Sequence, residues 1–332
     1  MDTPVITVII PAADAQGLLP MGLAHLEVQS YPAARFDVII ADYGDGDASD
    51  AVEKYIQGTP VRMRYLRAPG GTYADAANRA LAEATSNWVL FLDEDLLAGP
   101  NLVEQHIASQ ERHDGDAALA GRIKLHPHAA PTTLTKWGVW PPRDSESPSR
   151  APGQAAPAAP LHFLDWRTWN LSVSRRRILD AGGFSEAVDI QGAEDSELAG
   201  RLRDGGLKGF TAPAAVAYAW RASELARERE REYNRGRALH QLETQRERPG
   251  LARKQLPAYG PLRRALLRPS AFMAGCLAPL FAGNHAALCR LTRMMLDHAR
   301  FVGYLDAQRG RPPRPPGGCQ SRTAPAGPPP ES

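Results

Sequence analysis

Over its first 125 residues the chain alternates short β-rich runs with helical patterns, and this alternation constrains the fold more than any other feature. VITVII (5–10) predicts a strand, and LLPMGLAHLEVQ (18–29) a helix with Leu19, Leu23 and Leu26 on one face. FDVIIADYGDGD (36–47) predicts a strand that runs into an acidic glycine loop. Asp50 and Glu53 then stand at capping-box spacing ahead of AVEKYIQ. VRMRYLR (61–67) is a third strand, Gly70 and Gly71 a turn, YADAANRALAEA (73–84) an alanine-rich helix, and WVLFL (88–92) a fourth strand. This order predicts an open, largely parallel α/β sheet, in which ligands collect at the carboxyl ends of the strands. Both acidic loops, 42–47 and 93–95, fall at such ends.

The pattern breaks at residues 126–160, a Pro-, Ala- and Ser-rich stretch that reads as a flexible loop. Order is expected to return at HFLDWRTWNLSVSRRRILDAGGF, with a helix over AEDSELAGRLRDGG (193–206). ELARERERE (224–232) reads as a charged, solvated helix. Residues 285–305 read as an amphipathic helix through Leu288, Leu291, Met294, Met295, Phe301, Val302 and Leu305. From Gly310 onward the Pro/Gly-rich composition predicts disorder.

The chain has 332 residues, 43% hydrophobic and 23% charged, as in a soluble globular protein with ample core. Its formal net charge of +2 conceals a split, −9 over residues 1–220 against +10 over residues 221–311. The basic part is expected to face an anionic membrane surface or to dock on the acidic body. Nucleic acid is not expected, because no reading motif accompanies the charge. Cys276, Cys289 and Cys319 are odd in number and widely spaced, which disfavours a disulfide framework and fits a reducing cytoplasm. The opening MDTPVITVIIPAAD is too short and acidic for a signal peptide, and no run of about 18 apolar residues predicts a spanning helix.

Asp93 and Asp95, two residues apart past a buried strand, have the spacing to hold a divalent cation against a diphosphate, since hard cations take oxygen ligands. The same acids also suit a solvated strand end. Asp42 and Asp47, in DYGDGD, are placed to accept from a nucleobase or ribose, or to favour the dipole of the following helix. Glu194 and Asp195 open a helix, where acids are expected in any case; a carboxylate kept ionised there suits a general base. Trp166 and Trp169 suit either a sugar-stacking platform or a core. The nine histidines form neither HxxxH nor HExxH, and no GxSxG elbow or Walker-type phosphate loop is present.

Taken together and in order, four passages resemble the inverting family 2 glycosyltransferases. These are VIIPAAD; LEVQSYPAARFDVIIADYGDGDASD; GGTYADAANRALAEATSNWVLFLDEDLLAGPNLVE; and WNLSVSRRRILDAGGFSEAVDIQGAEDSELAGRLRDGGL. The resemblance implies the GT-A fold, a Rossmann-like mixed, mostly parallel sheet flanked by helices, here with a C-terminal helical extension. It implies a donor-binding half over 1–125 and an acceptor half over 161–222, while composition sets off the Pro/Ala-rich flexible loop 126–160, the basic helical extension 223–308 and a disordered Pro/Gly-rich tail 309–332. It also implies roles: Asp195 as catalytic base, Asp93 and Asp95 as metal ligands with Asp95 nearest the metal, and Asp42 on the nucleotide. Pro11, Asn78, Asp93, Glu94, Trp169, Asn170 and Glu194 join the substrate-binding set by the same resemblance. The implied donor is a UDP-, GDP- or dTDP-sugar with Mn or Mg as cofactor, and the implied acceptors include lipid-linked glycans.

Three positions depart from the family pattern. Ala12, Ala13 and Asp14 stand where Thr-Tyr-Asn is common, and Tyr43 replaces the second acid of an Asp-Asp pair. Ala219, in AVAYAW, stands at the apparent position of a histidine that often completes the metal site, so a weak site or a water in that place is expected. The missing QxxRW signature predicts single addition rather than processive synthesis. Two other readings remain at this point: a silent glycosyltransferase-like scaffold, and a nucleotidyltransferase of related fold.

Overall fold

The computed structural model describes residues 4–13, 17–45, 49–68, 70–136, 158–186, 194–220, 224–245 and 285–312. Asp14, Asp47, most of the Pro/Ala-rich loop, the apolar stretch 271–283, Cys276, Arg263, Arg264, Arg268 and the tail from 313 lie outside them. The chain divides into two compact units, Met1–Glu224 with Ala278–Thr292, and Leu225–Leu277 with Arg293–Ser332.

The first unit is built on one eight-stranded sheet. Its strands are β1 (Ile6–Ala12), β2 (Phe36–Asp42), β3 (Arg62–Arg67), β4 (Trp88–Leu92), β5 (Leu96–Ala98), β6 (Ala117–Leu125), β7 (Asn170–Ser174) and β8 (Lys208–Ala219). They lie in the order β3-β2-β1-β4-β7-β6-β8-β5. The β3-β2-β1-β4 part is all parallel, as the alternation of strands and helices predicts. β7 then enters antiparallel between β4 and β6, and β5 closes the edge antiparallel to β8, while β6 and β8 are parallel. The sheet is therefore mixed, in line with the α/β class expected.

β1 and β2 are buried at every position, which is why both read as near-continuous apolar runs. Pro11 falls two residues past the last β1–β4 pair, Ile9↔Phe91, so its missing N–H costs that ladder nothing. The helices of this unit include α1 (Leu19–Glu27), α2 (Ser49–Gly58), α3 (Tyr73–Glu83), α4 (Leu102–Glu111) and α5 (Thr133–Lys136). After β7 come α6 (Arg175–Asp180) and α7 (Glu194–Asp204). α2 begins at Ser49, so Asp50 lies in its first turn. A closed capping box belongs to α3, where the Thr72 side chain accepts from Asp75 N–H and Asp75 accepts from Thr72 N–H.

In the second unit, α8 (Leu225–Gln245) packs on the C-terminal part of α9 (His285–Gln308). α8 is longer than the charged segment predicts and is not solvated all round, because Tyr233, Ala238 and Leu239 are buried. Three of its side chains bond to the partner helix: Glu232 accepts from Arg300 at 2.5 Å, Glu243 accepts from Tyr304 at 2.6 Å and Tyr233 donates to Asp306 at 3.2 Å. Arg300 is thus committed to an ion pair, whereas Arg290 is exposed. Among the described residues no helix is long and apolar enough to cross a membrane.

Candidate active site

The carboxyl ends of β1, β2 and β4 bring the first set of acids together. The turn after β2 is wired internally by Asp42, whose buried carboxylate accepts from Gly44 N–H at 2.9 Å and from the Tyr65 hydroxyl at 2.5 Å. Arg67 sits 3.2 Å from the same carboxylate and donates to Gly44 O at 2.6 Å. A carboxylate offers about four lone-pair sites, and protein donors fill three of them here. Asp42 therefore shapes the loop. The next residue, Tyr43, has its phenol pushed well above the ordinary range, first by burial and then by Glu94, Glu194 and Asp93. Glu94 in turn accepts from Ala13 N–H at 3.1 Å, joining the β1 and β4 ends.

Asp93–Asp95 form a three-residue corner between β4 and β5, closed by Asp95 N–H donating to Asp93 Oδ1 at 3.0 Å. Behind the corner, Asp93 N–H donates to Trp169 O at 3.0 Å. Trp169 is half-buried and carries the Arg167 guanidinium 4.8 Å from its ring centroid, whereas Trp166 is core and donates to Leu161 O.

The second set of acids lies on α7. Glu194, Asp195 and Glu197 are all buried in its first turn. Glu197 pairs with Arg201, whose guanidinium also donates to Gly183 O at 2.6 Å and to Ala181 O. Asp195 accepts from the Thr168 hydroxyl at 2.6 Å and from Thr168 N–H at 3.4 Å. Its acidity departs from the expectation of a carboxylate kept ionised by the helix end. Burial raises its pKa above the usual carboxylate value, and Asp93 adds to this, while the Thr168 hydrogen bonds and Arg167 oppose it. Desolvation outweighs the dipole because the group lies almost out of water.

Two residues placed in the substrate set by sequence make hydrogen bonds to the framework. Asn78, on α3, brackets Phe184 by accepting from its N–H at 2.8 Å and donating to its C=O at 2.9 Å. Gly183 makes that clasp accessible: its φ is +72°, and a Cβ there would lie 2.6 Å from Asn78 Oδ1. Asn170 is buried at the start of β7, donating to Ala215 O at 3.2 Å and meeting His106 Nε2 at 2.8 Å. His106, fully buried, completes the network through Ser172 at 3.0 Å, with burial lowering its pKa to about 4. Sequence reading missed this network; a lone His on a helix carries no signal for it.

The corner acids offer hard oxygen ligands of the kind a divalent cation takes, within the one or two carboxylates such an ion uses alongside substrate phosphates. Among the described residues no group of three or more His, Cys, Asp or Glu has metal-binding geometry. Ala219 pairs with Leu96, the residue after Asp95, so the segment does reach the acids. Its methyl group, however, belongs to the main apolar cluster together with Leu96. An imidazole at 219 would enter that core. His126, whose N–H donates to Ala219 O at 3.0 Å, stacks 4.7 Å from Trp220 and 5.5 Å from His128 at the same strand ends. A search for HxxxH overlooks this His-x-His pair.

The sheet and the acids at its strand ends define a GT-A glycosyltransferase fold. The structure matches the mannosyltransferase PcManGT from Pyrobaculum calidifontis, solved with GDP-Man and Mn2+, with a TM-score of 0.63 at 18% identity. That match covers 94% of this chain and 89% of the other. Residues 7–158 match the family model for glycosyl transferase family 2. The chain is 27% identical over 226 residues to validoxylamine A glucosyltransferase of Streptomyces hygroscopicus subsp. limoneus, covering 61% of this chain and 49% of that protein. It is 26% identical over 247 residues to the uncharacterized glycosyltransferase YfnE of Bacillus subtilis, covering 60% of this chain and 61% of that one. The chain thus spans about half to three-fifths of the length of these curated relatives.

Proposed function

We propose that the protein transfers a sugar from a UDP-, GDP- or dTDP-sugar to an acceptor hydroxyl, one residue at a time and with inversion. One observation carries this reading: adjacent residues of one segment hold both sets of acids. Thr168 holds Asp195 and Trp169 O receives Asp93 N–H, and this shared anchor supports the reading of a base beside a diphosphate-binding corner. Further support comes from the family match and from a structural neighbour solved with GDP-Man and Mn2+.

In this mechanism Asp93 and Asp95 would hold a Mg or Mn ion, whose charge would offset that developing on the leaving diphosphate. The acceptor oxygen forms its bond to the anomeric carbon as the bond from that carbon to the diphosphate oxygen breaks. The nucleoside diphosphate departs on the opposite face, and Asp195 takes the acceptor's proton. A pKa raised by burial makes that carboxylate a stronger base. Glu94, Glu194 and Trp169 complete the substrate-facing set, with Pro11 at the floor of the β1 end. The basic segment 221–311 rests on an anionic membrane surface where lipid-linked acceptors reside; its net +10 and the exposed Arg290 support this, while Arg300 does not contribute.

A panel of nucleotide sugars, with and without manganese, tests the reading. Asp95→Ala is expected to lose most metal-dependent nucleotide affinity, and Asp195→Asn to keep that affinity while losing transfer by about 100-fold or more. Nucleotide binding unchanged by Asp95→Ala, or transfer undiminished in Asp195→Asn, removes the corresponding role.

A further inference from the structure

Asp195 is not oriented by its own helix alone. The Thr168 hydroxyl gives its single proton to Asp195 Oδ1 at 2.6 Å, so its oxygen is left to accept. It does accept, from the Tyr73 phenol at 2.6 Å. Tyr73 is the first residue of α3, whose capping box fixes that turn. Its ring is wedged edge-on between Tyr43, 6.4 Å away, and Phe184, 5.7 Å away, which restricts the direction of the hydroxyl. Burial and the nearby Asp195, Glu194 and Asp93 raise the phenol's pKa well above 10, so it keeps its proton and acts as a donor.

We propose that Tyr73 and Thr168 are positioning residues for Asp195, forming a donor relay that engages Oδ1 and turns Oδ2 toward the acceptor hydroxyl. The inference rests on the reading of Asp195 as the base. Among the described residues Oδ2 is met only by the longer Thr168 N–H contact at 3.4 Å, which leaves it the oxygen that takes the proton. Once it is protonated, Oδ1 still accepts from Thr168, so every relay member stays satisfied before and after transfer. Replacing the hydroxyl with a methyl group would strand Oδ1 in a buried site and free the carboxylate to rotate. The relay also ties the base to the donor side, because Tyr73 sits on α3 and Thr168 immediately precedes the residue that anchors Asp93.

The test uses the full chain with two independent readouts. UDP-glucose and GDP-mannose, with manganese, serve as turnover probes, scored as transfer or as hydrolysis. Thr168→Val is expected to lower kcat about 100-fold with KM and nucleoside diphosphate affinity changed less than about threefold. Thr168→Ser restores the rate, and Tyr73→Phe, which removes only the outer link, lowers it about three- to tenfold. Independently of any substrate, the 13C resonance of the Asp195 carboxyl, assigned by its loss in Asp195→Asn, is compared at one pH. It is expected to move in Thr168→Val and in Tyr73→Phe, and to return in Thr168→Ser. A moved resonance in a protein that turns over neither probe keeps the relay and counts against the transferase reading. A resonance unmoved by Thr168→Val or, should that variant not fold, by Tyr73→Phe overturns the relay, whatever the protein transfers.

Discussion

His106 and Asp195 are both buried ionisable groups, and burial shifts them in opposite directions. His106 remains neutral in the fold down to about pH 4, whereas its unfolded counterpart takes a proton near pH 6.5. Between those values the unfolded state binds more protons, so stability falls as pH falls through the window. The drop from pH 7 to pH 5 attributable to this residue is on the order of 2 kcal/mol. Denaturant unfolding of the parent and of His106→Gln at the two pH values checks it. The variant is expected to lose most of that pH dependence, and equal slopes would falsify the assignment. For Asp195 the sign is reversed: its raised pKa means the unfolded state releases its proton at a lower pH than the folded state, so its burial opposes folding as pH rises through that interval. Side-chain identity at Asn78 and Asn170 was legible, but its use was not. An amide that binds a substrate and one that clasps Phe184 or Ala215 look alike in sequence.

At the scale of elements, the parallel strands and the helices between them follow from apolar runs and spacing, while β5, β7 and β8 depend on partners far along the chain. The α8–α9 pair shows what spacing conceals. A Cβ on Gly236 would lie 1.8 Å from Arg300 O, and one on Gly303 would lie 1.9 Å from Tyr233 O. Neither glycine is a turn; each allows the two backbones to touch. Gly236→Ala, although favoured by helix propensity, is expected to destabilise this unit by about 1–3 kcal/mol through overpacking. Thermal melts read by far-UV circular dichroism test this; a variant as stable as the parent would show that the helices are not in contact there.

Across the whole molecule, the charge split leads to a binding prediction. Basic residues near an anionic leaflet contribute about 1 kcal/mol each, so several together hold a protein reversibly. The full chain is expected to sediment with vesicles containing anionic lipid at low salt, to be released at high salt and to ignore neutral vesicles. A chain that stays in solution with both vesicle types rules the surface role out. The sequence by itself determined the α/β class, the parallel half of the sheet and the acids at its strand ends, because apolar periodicity and residue type are local properties. Tertiary structure alone decided that β7 runs antiparallel into the sheet, that the methyl group of Ala219 belongs to the core, and that Thr168 joins Tyr73 to Asp195. Each of these depends on residues brought together from distant parts of the chain, where burial and hydrogen-bond satisfaction choose the partner and no local pattern records the choice.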